Sequence, residues 1–445
     1  MGMEKRIFGA TDGIREEVGK APLRPNCMRN LGRAISKYFG GGIVLLGRDT
    51  RESGSWMADE LKAGLAENGC EVEDLETLPT PAVQKFVAER DYVKGGIMLT
   101  ASHNPSTDNG IKVFGADGDK LTDEQELEVE KNYFDLESEE DVAVPQVDYK
   151  LVTLEETIDG YAHMVEPILQ IGDKLQGNKI ILDAACGAGH EFSKAVFEQF
   201  GLEVGQIDPE PDGKNINDGF GALYPQKLAE RAKERGMMGV ALDGDADRVI
   251  VADEEGRLWD GDRINILLTD YLGSDTTVVS EYSNFAMVKW QTEHGVKVEK
   301  VVNGDRAVAQ LCKKLNAQLG SEFSGHIIYL PWLSASDATF TALFIQKIMA
   351  EKGCKLADLW ADFEYMPSKQ WGIKVKEKLP LEEVAGFSEA VKAAEAELAG
   401  TGRVFCRYSG TENKLRILVE AEDMNLIEKH GEILANIVRK EIGND

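Results

Sequence analysis

The chain has 445 residues, 42% of them apolar and 29% charged, and a formal net charge of −28. That length exceeds a single hydrophobic core and implies about three domains of ordinary globular composition. The acidity argues against a nucleic-acid partner, which needs a cationic footprint, and against an anionic membrane surface. Any cations that meet an anionic substrate must therefore be gathered locally in a cleft. No run is long and apolar enough for a spanning helix, and the first residues lack a signal-peptide core, so the expected location is the cytoplasm. The six cysteines, Cys27, Cys70, Cys186, Cys312, Cys354 and Cys406, form no C-x-x-C pair and read as buried free thiols.

In chain order, the apolar run 42–46 predicts a strand, 57–68 a helix and 71–75 a strand. Pro79-Thr80-Pro81 breaks the chain, and 82–89 resumes as a helix. The same alternation recurs at 179–185, 190–200 and 239–242, and again at 276–281, 283–293 and 296–301. Strands alternating with amphipathic helices mean α/β units with largely parallel sheets. Three such units in tandem are expected, although no repeat is visible residue by residue. The acid-rich stretch 135–141, followed by Pro145, predicts a first linker. A second junction is placed after strand 249–251 and the turn 253–256, and a third near Pro367. Beyond it, one long helix over 381–398, strands at 404–408 and 415–419 and a helix at 426–442 describe a small α+β domain. The expected domains are 1–150, 151–255, 256–367 and 368–445.

Several loops carry candidate chemistry. Thr100-Ala101-Ser102-His103-Asn104-Pro105 follows an apolar run and puts a hydroxyl at a strand end, where ligands gather in α/β sheets. Ser102 reads either as a nucleophile or phosphate carrier or as a turn or capping serine. His103 either orients that hydroxyl or packs in the turn. Asp243, Asp245 and Asp247 alternate along Asp243-Gly244-Asp245-Ala246-Asp247-Arg248. In an extended loop the three carboxylates converge, an arrangement that calls for a cation and suits Mg²⁺ or Ca²⁺. A calcium helix-loop-helix fails, because its sixth position requires glycine and is Arg248. Glu322, Ser324 and His326 also alternate, which would place three polar groups on one face of a loop to grip sugar hydroxyls. Arg407-Tyr408-Ser409-Gly410-Thr411-Glu412 reads equally as an anion nest or a hairpin turn. Asp183-Ala184-Ala185-Cys186-Gly187-Ala188-Gly189 is similar to the glycine loop of adenosylmethionine-dependent methyltransferases. The preferred reading there is tight strand-to-helix packing.

Taken in this order, the segments resemble the α-D-phosphohexomutase superfamily, most closely its bacterial phosphoglucosamine mutase branch, over nearly the whole chain. Phe8 to Arg15 is similar to the family's opening loop, and Gly47-Arg48-Asp49-Thr50-Arg51 to its second motif. Thr100 to Pro105 matches the phosphoserine loop and Asp108-Asn109-Gly110-Ile111-Lys112 the segment after it. Asp212-Gly213-Lys214-Asn215-Ile216-Asn217 resembles a stretch typical of the glucosamine branch. Asp243 to Arg248, Glu322 to His326 and Arg407 to Glu412 match the metal, sugar and phosphate loops. Departures are Ala10 inside the opening loop, Glu16 and Ser321 for glycines, Phe323 at the variable sugar-loop position, Tyr408 for proline, and Ser336-Asp337-Ala338 for Gly-Asp-Gly. They leave the catalytic positions intact and bear on sugar choice.

The resemblance implies an α/β, four-domain phosphohexomutase-like architecture: three related α/β domains and a smaller C-terminal α+β domain around a central cleft. It implies Ser102 as phosphoserine, with Asp243, Asp245, Asp247 and the Ser102 phosphate around one Mg²⁺ per chain. Arg15, His103 and Lys112 would flank the transferring group, with Lys112 a candidate general acid/base. Arg248, Asp305, Glu322, Ser324, His326, Arg407, Ser409, Gly410 and Thr411 would bind substrate. The implied activity is an intramolecular phosphotransferase interconverting glucosamine 6-phosphate and glucosamine 1-phosphate through a 1,6-bisphosphate, for UDP-N-acetylglucosamine synthesis. Phosphomannomutase/phosphoglucomutase activity is the alternative within the family, and a non-catalytic phosphosugar-binding protein the alternative outside it. The expected partner is a small phosphosugar, and the chain a monomer or homodimer.

Overall fold

The computed structural model describes residues 6–9, 13–136, 147–302, 304–360, 362–409 and 413–444. Its strands form four sheets of six, five, four and three strands. The expected linker 135–141 lies mostly outside the described residues.

The first three sheets share one topology. In the first, Gly42–Arg48 pairs in parallel with Cys70–Thr77 on one side and Val93–Leu99 on the other, and Asp108–Gly115 returns antiparallel to the latter. In the second, Lys179–Asp183 lies in parallel between Glu203–Gln206 and Met238–Leu242, and Val249–Ala252 returns antiparallel. In the third, Thr276–Ser280 lies in parallel between Lys297–Val301 and Leu319–Ser321, and Ile327–Tyr329 returns antiparallel. Helices make the parallel crossovers, as a parallel pair requires. Each unit thus contains a hairpin whose loop sits at the carboxyl end of a parallel strand. The repeat is in the topology, which explains why the residues do not display it. Two-residue strand Leu258–Trp259 extends the second sheet.

Part of each of the first three units joins a shared apolar core, while the first unit keeps a second core around Leu31, Val44, Leu61 and Ile97, and the second and third units keep smaller ones. Leu45, Val83 and Phe86 join Tyr161, Phe192 and Leu242, and these join Trp332, Phe340 and Phe344. The fourth unit has its own core, with Trp371, Ile373, Leu415, Ile417, Leu434 and Val438. Its sheet runs Ser368–Lys374, Lys414–Ala421, Gly402–Tyr408, all antiparallel, under the helix Met424–Ile442.

Two expectations need correction. Pro79-Thr80-Pro81 starts the helix Thr80–Ala88 instead of breaking the chain, since proline is tolerated in the first turn. The long helix over 381–398 is a short 3₁₀ turn, Leu381–Glu383, followed by the helix Phe387–Glu397. Gly386, at φ 77°, separates them and lets Val384 and Phe387 both turn into the core.

The packing of the last helix generates a test. Gly431 lies where a Cβ would come within 2.0 Å of the Trp371 ring. Gly431→Ala normally favours a helix by about 1 kcal/mol. Here it is expected to destabilise the fourth unit by about 1–3 kcal/mol through overpacking, measured as the shift in its urea unfolding midpoint.

Candidate active site

Ser102 sits just past the end of the strand Val93–Leu99, in a left-handed backbone conformation (φ 50°) that a non-glycine residue rarely adopts. The surroundings impose it. Ser102 N–H donates to Thr100 Oγ1 at 2.8 Å, and Thr100 Oγ1 donates to Asp49 Oδ2 at 2.7 Å. Buried Arg51 pairs with Asp49 at 2.8 Å and donates to the carbonyls of Ser102 (3.0 Å), Asn104 (2.8 Å), Asp108 (2.9 Å) and Pro105. Asn217 Nδ2 adds bonds to the Ser102 and Asn104 carbonyls at 2.9 and 3.1 Å. The loop is thereby wrapped around one guanidinium, and its backbone is fixed before any ligand arrives.

Ser102 Oγ donates to Asp243 Oδ2 at 2.9 Å and lies 3.2 Å from His103 Nδ1. Burial, then the charges of Arg248 and Arg15, lower the His103 pKa to about 3, so its imidazole is neutral near pH 7. Asp243, Asp245 and Asp247 are all buried, each offering an oxygen within 4.8 Å of the others. They converge because the loop turns, with Ala246 at φ 55° and its N–H bonded to the Asp243 carbonyl, and not because it is extended as the alternation predicts. Burial and the two neighbouring carboxylates raise the Asp243 pKa to about 7. Burial opposes charge on Asp247 too, but Lys112 and His326 outweigh it and hold that carboxyl well below its usual range. Lys112, buried on the strand Asp108–Gly115, reaches Asp245 Oδ2 at 2.8 Å and Asp247 Oδ2 at 3.0 Å. Thr80 also hydrogen-bonds Asp245 Oδ2, whereas Asp245 Oδ1 is buried with no partner among the described residues. An unpartnered carboxylate oxygen within a set of hard oxygen donors fits a small divalent cation.

The third loop differs from its expected form. Glu322 and His326 are buried and bonded to each other, Nδ1 to Oε2 at 2.6 Å, while Ser324 and Phe323 occupy the exposed tip. Gly325 (φ 99°) makes the tight turn that brings residues 322 and 326 together, so they do not share a face with Ser324. His326 Nε2 lies 3.2 Å from Asp247 Oδ1. Burial works against an imidazolium here, but Asp247 and the hydrogen bonds to Asp247 and Glu322 raise the His326 pKa to about 10. Arg248 Nε is 3.2 Å from the same ring nitrogen. Phe323 is 45% exposed and meets the Tyr365 ring edge-on at 6.3 Å. Asp305 is paired with Lys120 of the first unit at 2.7 Å, and Gly304 N–H beside it donates to Glu322 Oε1 at 2.8 Å.

Arg15 lies on the edge strand Ile14–Glu17, paired in register with Gly110 at the base of the Ser102 hairpin. Arg407 and Ser409 flank the turn of the fourth unit; Gly410 and Thr411 lie outside the described residues. The glycine loop 183–189 is a packing element: Ala188 N–H bonds the Gly244 carbonyl at 2.8 Å, and a Cβ on Gly187 would meet that oxygen at 2.3 Å. Sequence reasoning missed Thr80, Arg51, Asn217 and Ser336 as parts of the site. Ser336 Oγ donates to the Asp247 carbonyl at 2.5 Å and accepts from Ile327 N–H at 2.8 Å, tying the aspartate loop to the third loop. Its departure from the family's glycine was the available signal. A hydroxyl held against a carboxylate cage, an ammonium between two carboxylates and a neutral imidazole beside the hydroxyl can together hold a phosphoryl group and move its proton.

Four sequence families match in chain order: Phosphoglucomutase/phosphomannomutase, alpha/beta/alpha domain I over residues 5–140, domain II over 159–256, domain III over 260–365 and the C-terminal domain over 373–436. A phosphoglucosamine mutase of Bdellovibrio bacteriovorus is 38% identical, the match covering 99% of this chain and 100% of the relative. A phosphoglucomutase/phosphomannomutase family protein of Burkholderia thailandensis superposes with TM-score 0.79 at 22% identity, covering 98% of this chain and 97% of that one. An Aspergillus fumigatus N-acetylphosphoglucosamine mutase in complex with GlcNAc-6P and magnesium superposes with TM-score 0.69 at 18% identity, covering 99% and 96%.

Two outcomes follow from this geometry. Arg51→Ala leaves Asp49 buried without its cation and is expected to cost about 3–5 kcal/mol, with faster amide exchange across residues 100–108. Mg²⁺ is expected to raise the melting temperature of the wild type, and Asp245→Asn to abolish most of that rise; a wild-type melt indifferent to Mg²⁺ would exclude the cation site.

Proposed function

The chain belongs to the phosphoglucomutase/phosphomannomutase family, and we propose that it interconverts glucosamine 6-phosphate and glucosamine 1-phosphate with Ser102 as the phosphoryl carrier. The observation that carries the mechanism is the Ser102 hydroxyl, 2.9 Å from Asp243 in the aspartate cage. The full-length relatives named phosphoglucosamine mutase, 34–38% identical, support the choice of sugar.

In this reading a hydroxyl of the sugar monophosphate attacks the phosphorus on Ser102. A bond forms to the sugar oxygen and the bond to Ser102 Oγ breaks. The sugar hydroxyl gives up its proton to a base, and Ser102 Oγ regains one. A Mg²⁺ held by Asp243, Asp245, Asp247 and the Ser102 phosphate would supply positive charge to the phosphoryl oxygens. Lys112, already an ammonium neighbour of two of these aspartates, supplies a proton donor at the same place. Neutral His103, 3.2 Å from Oγ, can accept or relay a proton. Arg15 adds charge from the neighbouring edge strand. The bisphosphate then turns over, and its other phosphate returns to Ser102. One site must accept two orientations, so the sugar is recognised beside the aspartates, at Arg248, Ser324 and His326, and the distal phosphate in the fourth unit, at Arg407 and Ser409. Glu322 serves by orienting His326.

Phe323 at the exposed tip favours weighing a second sugar class, glucose or mannose phosphate. Side-by-side specificity constants decide it: glucosamine phosphate is expected to lead, and a higher value for either competitor transfers the assignment within the family. Ser102→Ala is expected to lower turnover on the order of 10⁴-fold or more without unfolding the protein. Incubation of the wild type with glucosamine 1,6-bisphosphate should add one phosphoryl group to the Ser102 peptide by mass. A fully active Ser102→Ala enzyme would end this reading, and an unphosphorylatable but phosphosugar-binding wild type would indicate a binding protein.

A further inference from the structure

The distal phosphate clamp has so far been confined to the fourth unit, yet the structure brings a side chain of the third unit into it. Tyr282 follows the parallel strand Thr276–Ser280, at the carboxyl end of the third sheet. The turn after it is bonded to the fourth unit: Arg403 Nη2 donates to the Ser283 carbonyl at 2.7 Å, and Asn284 Nδ2 donates to Glu420 Oε1 at 3.0 Å. This places the phenol against the strand Gly402–Tyr408. Phe405 meets its ring edge-on at 5.4 Å, and the Arg407 guanidinium lies over it, 5.2 Å from the centroid. Phe405 and Arg407, two apart on one strand, present the same face.

Among the described residues, two polar atoms at this contact are buried without a hydrogen-bond partner: Tyr282 Oη and Arg407 Nε. Orphaned donors are uncommon in folded proteins and call for an explanation. Here they belong to adjacent side chains from two units, beside the turn that carries Ser409. A guanidinium resting on an aromatic face is held by the ring's negative quadrupole while its N–H edge stays available. That edge matches two oxygens of a phosphate monoester, and a phenol hydroxyl supplies one more donor to the same anion.

We propose that Tyr282 is a substrate-binding residue that completes the distal phosphate clamp, its ring fixing the Arg407 guanidinium and its hydroxyl donating to the phosphate not undergoing transfer. The ligand class is a dianionic phosphate monoester, and the inference rests on the mutase reading above. Because the clamp spans both units, occupancy also favours their apposition.

The test measures dissociation constants of glucosamine 6-phosphate and glucose 6-phosphate by calorimetry. Tyr282→Phe keeps the ring packed against Phe405 and removes only the hydroxyl; binding is expected to weaken roughly tenfold, the effect of one hydrogen bond to a charged group. Tyr282→Leu also removes the ring, and roughly 30–100-fold is expected. In the Arg407→Ala background the Tyr282→Leu change should add little, because the two side chains act on one phosphate. Mg²⁺ affinity and the melting temperature of Tyr282→Phe should stay at wild-type values, which a merely structural role of the hydroxyl would not leave untouched. Wild-type affinity in both Tyr282 variants would overturn the inference, as would full additivity with Arg407→Ala. Wild-type turnover, assayed in parallel, tests the mutase reading by itself, so an active wild type with unaffected Tyr282 variants sinks this inference alone.

Discussion

Three carboxylates out of water, with oxygens within 4.8 Å of one another, are the constraint around which this molecule is arranged. Like charges so close and so dry repel strongly, and burial adds to the cost. The fold meets that cost from the two neighbouring units. Lys112 comes from the first unit, His326 from the third, and the Ser102 and Thr80 hydroxyls donate from the first. One carboxylate oxygen, Asp245 Oδ1, is left to a cation. The aspartate loop belongs to the second unit, so its electrostatics bind three units at a single point. A shared apolar core runs behind that point: groups set to tenths of an ångström across chain separations above a hundred residues need a rigid frame behind them.

The frame reaches this precision by repetition. In each of the first three units the third parallel strand turns into an antiparallel fourth, and the turn carries Ser102, the aspartates or the Glu322–His326 pair. The fourth unit offers the same device, a hairpin between Gly402–Tyr408 and Lys414–Ala421. Hairpin loops at the carboxyl ends of strands are held at both ends by ladder hydrogen bonds, so short loops can be stiff without being buried in bulk. Close contacts between loops do the rest. Gly244 packs where a Cβ would strike the Ser102 carbonyl at 2.6 Å, and Gly261 where one would strike the Glu322 carbonyl at 1.9 Å. Both glycines serve close approach of backbones, and neither has an unusual φ.

The fourth unit obeys a different rule. Its core is separate, and it meets the third unit through polar and aromatic contacts: Asn284 with Glu420, Arg403 with the Ser283 carbonyl, and Tyr282 with Phe405 and Arg407. Contacts of this kind rearrange at lower cost than an interdigitated core. The division suits a reaction in which the chemistry must stay rigid while the phosphosugar is admitted, turned and released.

The sequence by itself determined the α/β rhythm and marked the two strongest candidate loops. Both are local signals: apolar runs set strands by burial, and an oxygen-rich turn after such a run is placed at a strand end wherever the strand packs. Ser102 and the three aspartates were therefore legible, as was the packing role of the 183–189 glycines. Tertiary structure decided what distant residues do to those loops. Arg51 holds four carbonyls of the Ser102 loop, Asn217 reaches it from 115 residues away, and Ser336 bridges the Asp247 carbonyl to Ile327. Local pattern marks their segments but not their partners, because hydrogen bonds are satisfied by whatever the fold brings near. Turn geometry was the other gap. Alternation predicts that Glu322, Ser324 and His326 share a face, but a left-handed glycine folds the loop so that Glu322 and His326 pair inside and Ser324 stays out. Side-chain direction in a hairpin loop follows its turn, and the turn here is set by the strand pairing on either side of it.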